Sequence, residues 1–359
     1  MKSKLSLPRW SIITPVLAWL LYYGKSFEFG SVYDVFLAFG LIGVVLAAVH
    51  HAEVIAHRVG EPAGTLVLAI AITIIEVALI VSLMLAGGAE TAALARDTVF
   101  AAIMIILTGI IGLCLLVGGY RYQEQQFGKF GVSAALVTLT AISVLTLVLP
   151  NYTTSVIGPV YNNSQLIFVA IISLVLYGTF VMVQTVRHRA YFLPEIDANK
   201  ETPADPPSNQ VTLISTVLLL VCLAAVVLLA KMLAPTIETF VVEMGAPKSL
   251  VGVIVAAVIL LPEGLAALRA AKKNRLQISL NLALGSALAS IGLTIPVVAV
   301  VSIFTGLTIT LGIDTKSTLL LILSLFTVAL SFGTGKTTVM QGVVLLVIFA
   351  VYLFTTIVP

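Results

Sequence analysis

Residues 63–87 read AGTLVLAIAITIIEVALIVSLMLAG, with one ionisable side chain, Glu76, near the middle. About 20 apolar residues in a helix span a ~30 Å hydrocarbon layer. A charged side chain at that depth costs at least ~2.5–3.5 kcal/mol on insertion scales. The stretch therefore reads as a membrane helix that carries an expensive acid. Residues 248–270, KSLVGVIVAAVILLPEGLAALRA, repeat the arrangement around Glu263. Each stretch is opened by a glycine and a proline, in Gly60-Glu61-Pro62 and Gly245-Ala246-Pro247. Proline suits a first helical turn, where its missing N–H would be unpaired anyway.

The rest of the chain agrees. Of 359 residues, 60% are hydrophobic and 10% charged, and the mean hydropathy is +1.14. Soluble domains need roughly 25% charged residues to face water. A soluble single-core protein is excluded, as is a disordered one. A net charge of +3 gives no reason to expect nucleic acid as a partner. The two cysteines, Cys114 and Cys222, lie inside apolar runs, so neither a disulfide framework nor a thiolate metal site is expected. The first apolar run lacks an evident small-residue cleavage site and reads as a retained span.

Eleven helical spans are expected, near 10–24, 31–52, 63–87, 98–118, 131–149, 164–186, 210–233, 248–270, 278–303, 317–333 and 337–357. Lipid offers no partner for a bare backbone amide, so spans of this length are helices. With the N-terminus cytoplasmic, the inner segments hold Lys2, Lys4, Arg9, Arg58, Arg121, Lys129, Arg187, Arg189, Lys200, Arg269, Lys272, Lys273, Arg275 and Lys336. The outer ones hold only Lys25, Arg96, Lys231, Lys248 and Lys316. That bias follows the positive-inside rule and puts the C-terminus outside.

Residues 187–209, RHRAYFLPEIDANKETPADPPSN, are polar and proline-rich and read as a cytoplasmic linker. On either side, five spans match five in opposite sense, because 63–87 runs outward and 248–270 inward. The expected fold is an all-α polytopic membrane protein with an inverted repeat. Its parts are an extra N-terminal helix (1–30), a first repeat (31–186), the linker (187–209) and a second repeat (210–359).

Among the acids and bases of the chain, only Glu76 and Glu263 lie deep inside the expected spans. No intramembrane lysine or arginine balances them, so mobile positive charge must do so, as protons or metal cations. Pro262 frees the carbonyl of Val258, four residues back. Thr73 lies one turn before Glu76 on the same face. Ser286 and Ser290, four apart on the next span, add hydroxyls, although their small-residue face serves close helix packing equally well. Calcium wants six to eight oxygens, of which two carboxylates give at most four.

His50, Glu53 and His57 fall on one face where the 31–52 helix reaches the cytoplasm. They read better as a pH-sensitive gate or proton access point than as a zinc site. Gly333-Thr334-Gly335-Lys336-Thr337-Thr338 imitates the end of a phosphate loop, but the glycine required five residues before Gly335 is Leu330. No nucleophile or metal-ligand set of an intramembrane enzyme is present in the sequence.

At these residues the sequence resembles the cation/calcium exchanger superfamily, in particular its calcium/proton antiporters and their bacterial ChaA-type members. The resemblance runs through Ala52 to Glu61, Gly64 to Glu76 and Val251 to Glu263. It continues through Lys273-Asn274, Gly285-Ser286, Pro296, Gly306 to Asp314 and Gln341-Gly342, and covers nearly everything after residue 45. It implies an antiporter, without cofactor, in a bacterial inner membrane, with Glu76 and Glu263 alternately carrying cation and protons. The cargo it implies is calcium, with sodium or potassium as the alternative, and a homo-oligomer stays open. The family's calcium-selective members read Gly-Asn ahead of each central glutamate, where this chain has Ile72-Thr73 and Ile259-Leu260. Ala289 replaces the glutamine that often follows the Gly-Ser pair. These departures leave proton-coupled exchange intact and put calcium selectivity in question. The rival reading, a cation channel, would be a ring-like assembly with a shared filter.

Overall fold

The computed structural model describes residues 7–24, 31–60, 63–193, 206–243, 245, 247 and 249–358. The acidic centre of the linker, Glu61-Pro62 and Ala246 lie outside the described residues. Within these residues the apolar runs are helices: α1 (Arg9–Gly24), α2 (Ser31–Val59), α3 (Ala63–Gly87), α4 (Leu94–Met104), α5 (Ile111–Tyr122), α6 (Lys129–Ser143), α7 (Asn163–Met182), α8 (Asn209–Glu243), α9 (Ser249–Lys272), α10 (Leu276–Thr305), α11 (Thr315–Phe332) and α12 (Val339–Ile357). Helices α4 and α5 form one continuous rod. Nine helices among the described residues are long and apolar enough to cross a membrane, and α3 contributes a shorter apolar stretch, Ile70–Leu85. The chain is a nearly all-helical polytopic membrane protein.

Several boundaries differ from those read in the sequence. Helix α2 continues to Val59, and α8 runs through Pro235 to Glu243. A proline inside a helix removes one backbone hydrogen bond and need not end it when neighbours hold the rod. Three spans contain a π-helical turn: Ile105–Ile110 between α4 and α5, Val144–Val148 after α6 and Val183–Arg187 after α7. In the first, the N–H of Ile111 donates to the carbonyl of Ile106, five residues back. Such turns fit one extra residue into a helix and are found often at functional sites.

The chain forms two compact units. One comprises Met1–Ala86 with Asn199–Met244, and the other Gly87–Ala198 with Gly245–Pro359. In the first, α2 packs along α8 and α1 lies against both. In the second, the α4–α5 rod is central: its most apolar window is 78% buried, against 28% for α12. Around it, α9 packs on α4 and α5, α10 on α9, α7 and α6, and α12 on α5. Glycines permit the α5–α12 approach. A Cβ on Gly342 would stand 2.4 Å from the Leu116 nitrogen, and one on Gly119 would stand 2.6 Å from that of Val339. Backbones this close require a residue without a side chain.

One end of the second unit is closed by a two-stranded antiparallel clip, β1 (Gln125–Gln126) with β2 (Lys336–Thr337). The phosphate-loop look-alike is thus a structural turn, and Thr338 with Gln341 forms the capping box that starts α12. A chain of amides ties the clip to α10. Gln125 Nε2 donates to Asn274 Oδ1 at 2.9 Å and to the Ala271 carbonyl at 3.1 Å. Gly128 N–H donates to Gln277 Oε1, Gln277 Nε2 to Asn281 Oδ1, and Asn281 Nδ2 to the Phe192 carbonyl. That last bond pins the first residues of the linker, where Tyr191 stacks between His188 and Phe130.

Replacing Asn281 with alanine is therefore expected to cost ~1–2 kcal/mol and to release residues 189–193. Limited proteolysis within the linker checks this, with faster cleavage expected in Asn281→Ala than in the unmodified chain. Equal cleavage rates would count against the pin.

Candidate functional site

Both central glutamates are buried by protein, Glu76 to 2% exposure and Glu263 to 7%. Each helix starts after a glycine in the left-handed region, Gly60 at φ +77° and Gly245 at φ +69°. Neither glycine has an atom within 4 Å of a Cβ position. The backbone conformation, and not lack of room, demands glycine there. The two helix entrances are thus built alike.

In the first unit, Thr73 and Glu76 are both buried one turn apart on α3. A carboxyl and a hydroxyl at that spacing share a face. On α2, His50 is half-buried, while Glu53 and His57 are exposed. No set of three histidine, cysteine or acidic side chains among the described residues is placed to hold a metal ion. The neighbouring His51 is instead fully buried, with Nε2 3.0 Å from the Ser11 carbonyl.

In the second unit, Glu263 sits on α9 directly after Pro262, inside an unbroken helix. Pro262 has no N–H for the Val258 carbonyl, so that oxygen is released from the helical ladder. Ser286 is half-buried and Ser290 is buried at 2% exposure on α10, which packs against α9. Leu260, where calcium-selective relatives of the resemblance carry an amide, is buried at 2% and supplies no oxygen.

The sequence reading missed the π-turn Ile105–Ile110. A Cβ on Gly264, next to Glu263, would lie 3.2 Å from the Ile110 side chain, so the turn runs past the acid. Thr108 within it is fully buried and donates to the Met104 carbonyl at 2.5 Å. The π-turn thus sets a wider backbone pairing, Ile111 N–H to the Ile106 carbonyl, beside Glu263's neighbour. The only sequence signal was Thr108-Gly109 in an otherwise aliphatic run.

At the far end of the same unit lies a cavity of about 570 Å³, lined in part by Tyr161, Asn162, Ser302 and Thr308. Its polar groups are engaged locally. The Tyr161 hydroxyl donates to the Leu145 carbonyl at 2.6 Å, and Ser302 donates to the Leu307 carbonyl. Burial pushes the Tyr161 phenol up to about 12, so it remains a donor at physiological pH.

Chemically, the buried set consists of carboxylates, hydroxyls and freed carbonyls. It is all oxygen, suited to hard cations and to protons. The two glutamates belong to different compact units.

The chain is similar to known proteins along nearly its whole length. The profile of the sodium/calcium exchanger protein family matches residues 31–186 and 214–358. A putative ionic transporter, y4hA, of Sinorhizobium fredii is 46% identical, with 100% of both chains covered. The sodium-potassium/proton antiporter ChaA of Escherichia coli is 37% identical over 96% of this chain and 95% of its own. Among solved structures, the Ca2+/H+ antiporter YfkE superposes with a TM-score of 0.73 at 21% identity, over 98% of this chain and 100% of that one.

Proposed function

The chain belongs to the sodium/calcium exchanger protein family, and from that premise we propose that it is a cation/proton antiporter working through Glu76 and Glu263. The family is one of transporters, not of enzymes. The observation that carries the reading is the burial of one acid in each of two similarly opened helices. Holding ionised carboxylates at this depth is costly. A bound cation or protons neutralise them. Only neutralised forms cross readily between inward- and outward-facing states, so movement of one species requires return of the other. The domain reading fits this scheme: two inverted five-helix repeats, 31–186 and 210–359, joined by the 187–209 linker. In the first unit Thr73 adds an oxygen to that of Glu76, and in the second the Val258 carbonyl, Ser286 and Ser290 add theirs to Glu263. His50, Glu53 and His57 stand as the proton access point. The chain sits in a bacterial plasma membrane with its N-terminus in the cytoplasm.

Calcium is one cargo, exported as protons return. Sodium and potassium are favoured beside it by two observations. Leu260 removes one oxygen that calcium's high coordination number would use. The relative that is 37% identical along almost the whole chain is named a sodium-potassium/proton antiporter. Magnesium, which dehydrates reluctantly, is expected to be a poor substrate.

The test is proton flux in vesicles holding the purified protein, with calcium, sodium, potassium and magnesium added in turn. Calcium and at least one monovalent ion are expected to collapse a preformed pH gradient. Because protons and cation compete for the same carboxylates, apparent cation affinity should fall as the medium is acidified. Cation flux without proton counterflow would indicate a channel. An affinity that does not vary with pH would remove direct competition.

A further inference from the structure

Outside the proposed ion site, the contact between α1 and α2 contains a buried imidazole that the exchange mechanism does not use. His51 has 0% exposure, and its Nε2 lies 3.0 Å from the Ser11 carbonyl oxygen on α1. A carbonyl only accepts, so Nε2 carries the hydrogen and Nδ1 is bare. Nδ1 is buried without a hydrogen-bond partner among the described residues, and so is Nε2 of His50. The two rings are 5.8 Å apart, and Trp10 of α1 lies 5.3 Å from His50.

His51 continues a stripe along α2 that receives α1. A Cβ on Gly40 would come within 2.6 Å of Leu21, and one on Gly43 within 2.8 Å of Thr14. Positions 40, 43, 47 and 51 recur at helical spacing, so they share a face, and Ala47 is fully buried. Further along, Trp19 Nε1 donates to the Val221 carbonyl at 3.4 Å, which extends the α1 contact to α8.

The surrounding charges do not compensate a cation at His51. On α2, Glu53, His57 and Arg58 are exposed, and Arg58 is engaged with Asn209 of α8. On α1 the neighbouring charge is Arg9, which is exposed and of the same sign. On α8, the stretch 209–230 has one ionisable group, the buried thiol of Cys222.

We propose that His51 is a proton-sensitive pin: α1 docks on α2 only while this imidazole is neutral, and acidification at that end releases α1 and slows exchange. A second proton would have to sit on Nδ1, where it meets no acceptor, and a buried unpaired charge is far costlier than an exposed one. Released, the ring reaches water and takes the proton freely. A released state that binds one more proton than the docked state gains on it about tenfold per pH unit below the transition. Slowed exchange follows because α1 braces α2 and α8, the helices that share a unit with Glu76.

The chain contains two tryptophans, so Trp19→Phe leaves Trp10 as a lone reporter of the contact. In vesicle-reconstituted Trp19→Phe protein, Trp10 emission is expected to show a single titration between mildly alkaline and acidic pH. Adding His51→Gln should abolish it, since the glutamine amide can still donate to Ser11 but cannot bind a proton. A transition that persists unchanged in the double variant belongs to His50 alone and overturns the pin. Should glutamine at 51 prevent insertion, Gly43→Ala weakens docking while leaving His51 titratable, and the transition should move to higher pH. An unmoved transition likewise overturns the proposal. The functional arm rests on the exchange reading: His51→Gln should keep its proton flux at acidic pH where the unmodified protein loses it. Emission needs no transport, so failure of the pin and failure of the exchange reading are separable.

Discussion

Glutamine at position 263 is expected to reduce cation-driven proton flux to the level of protein-free vesicles, without loss of folded protein. Glutamine keeps the size and hydrogen-bonding shape of the side chain but can neither ionise nor release a proton. Since Glu263 is buried at 7% exposure among apolar α9 neighbours, removing its charge spares the fold the cost of holding it. Stability should therefore be kept or raised while exchange is lost. The same result is expected for Glu76→Gln, because one remaining carboxylate cannot balance a divalent ion or carry two protons. Flux in either variant close to that of the unmodified protein, at equal amounts inserted, would remove that residue from the mechanism.

The second large effect concerns assembly. Valine at position 342 should prevent α12 from packing on α5. The added Cβ alone would overlap the Leu116 nitrogen at 2.4 Å and crowd the Gly112 carbonyl at 2.9 Å. Neither is the movable end of a side chain, so the two helices must separate, at ~1–3 kcal/mol or more. Gly112 faces the same seam, where its own Cβ would lie 3.1 Å from Leu345, so no nearby glycine can take up the shift. Thermal unfolding in detergent should show a markedly lower midpoint for Gly342→Val, with aggregation on size exclusion. Val343→Ala, on an exposed face of the same helix, is the control and should change little. If Gly342→Val eluted and melted like the unmodified chain, the close approach of α5 and α12 would be wrong.

The helices and the two acids were legible in the sequence because hydrocarbon imposes a length and forbids stray charge. A 25-residue run with one glutamate has few other meanings. Partner choice was not legible. Lipid surrounds a membrane helix with apolar groups on every side, so the apolar pattern does not say which face meets another helix. That is why the 31–52 span gave His50, Glu53 and His57 as a face by spacing, while the structure turns His51 inward onto α1. The π-turn at Ile105–Ile110 was hidden for a related reason. It changes backbone register without changing composition, and six apolar or small residues look the same in either helix type. The expected 210–233 span stopped short as well: α8 continues through Pro235 to Glu243.

The interleaving of the two compact units also bears on how the chain is made. Helix α2 ends at Val59, and α8, along which it packs, begins only at Asn209. At typical rates of synthesis that gap lasts on the order of 10 s. The second unit waits as well, since α4 and α5 are produced well before α9 and α12. Through this interval α1 is already synthesised, and it packs on α2. Its fit into the groove at Gly40 and Gly43 would keep that small-residue surface from pairing with a stranger in a crowded bilayer. The contact with α1 is thus available to α2 about 150 residues of synthesis before that with α8.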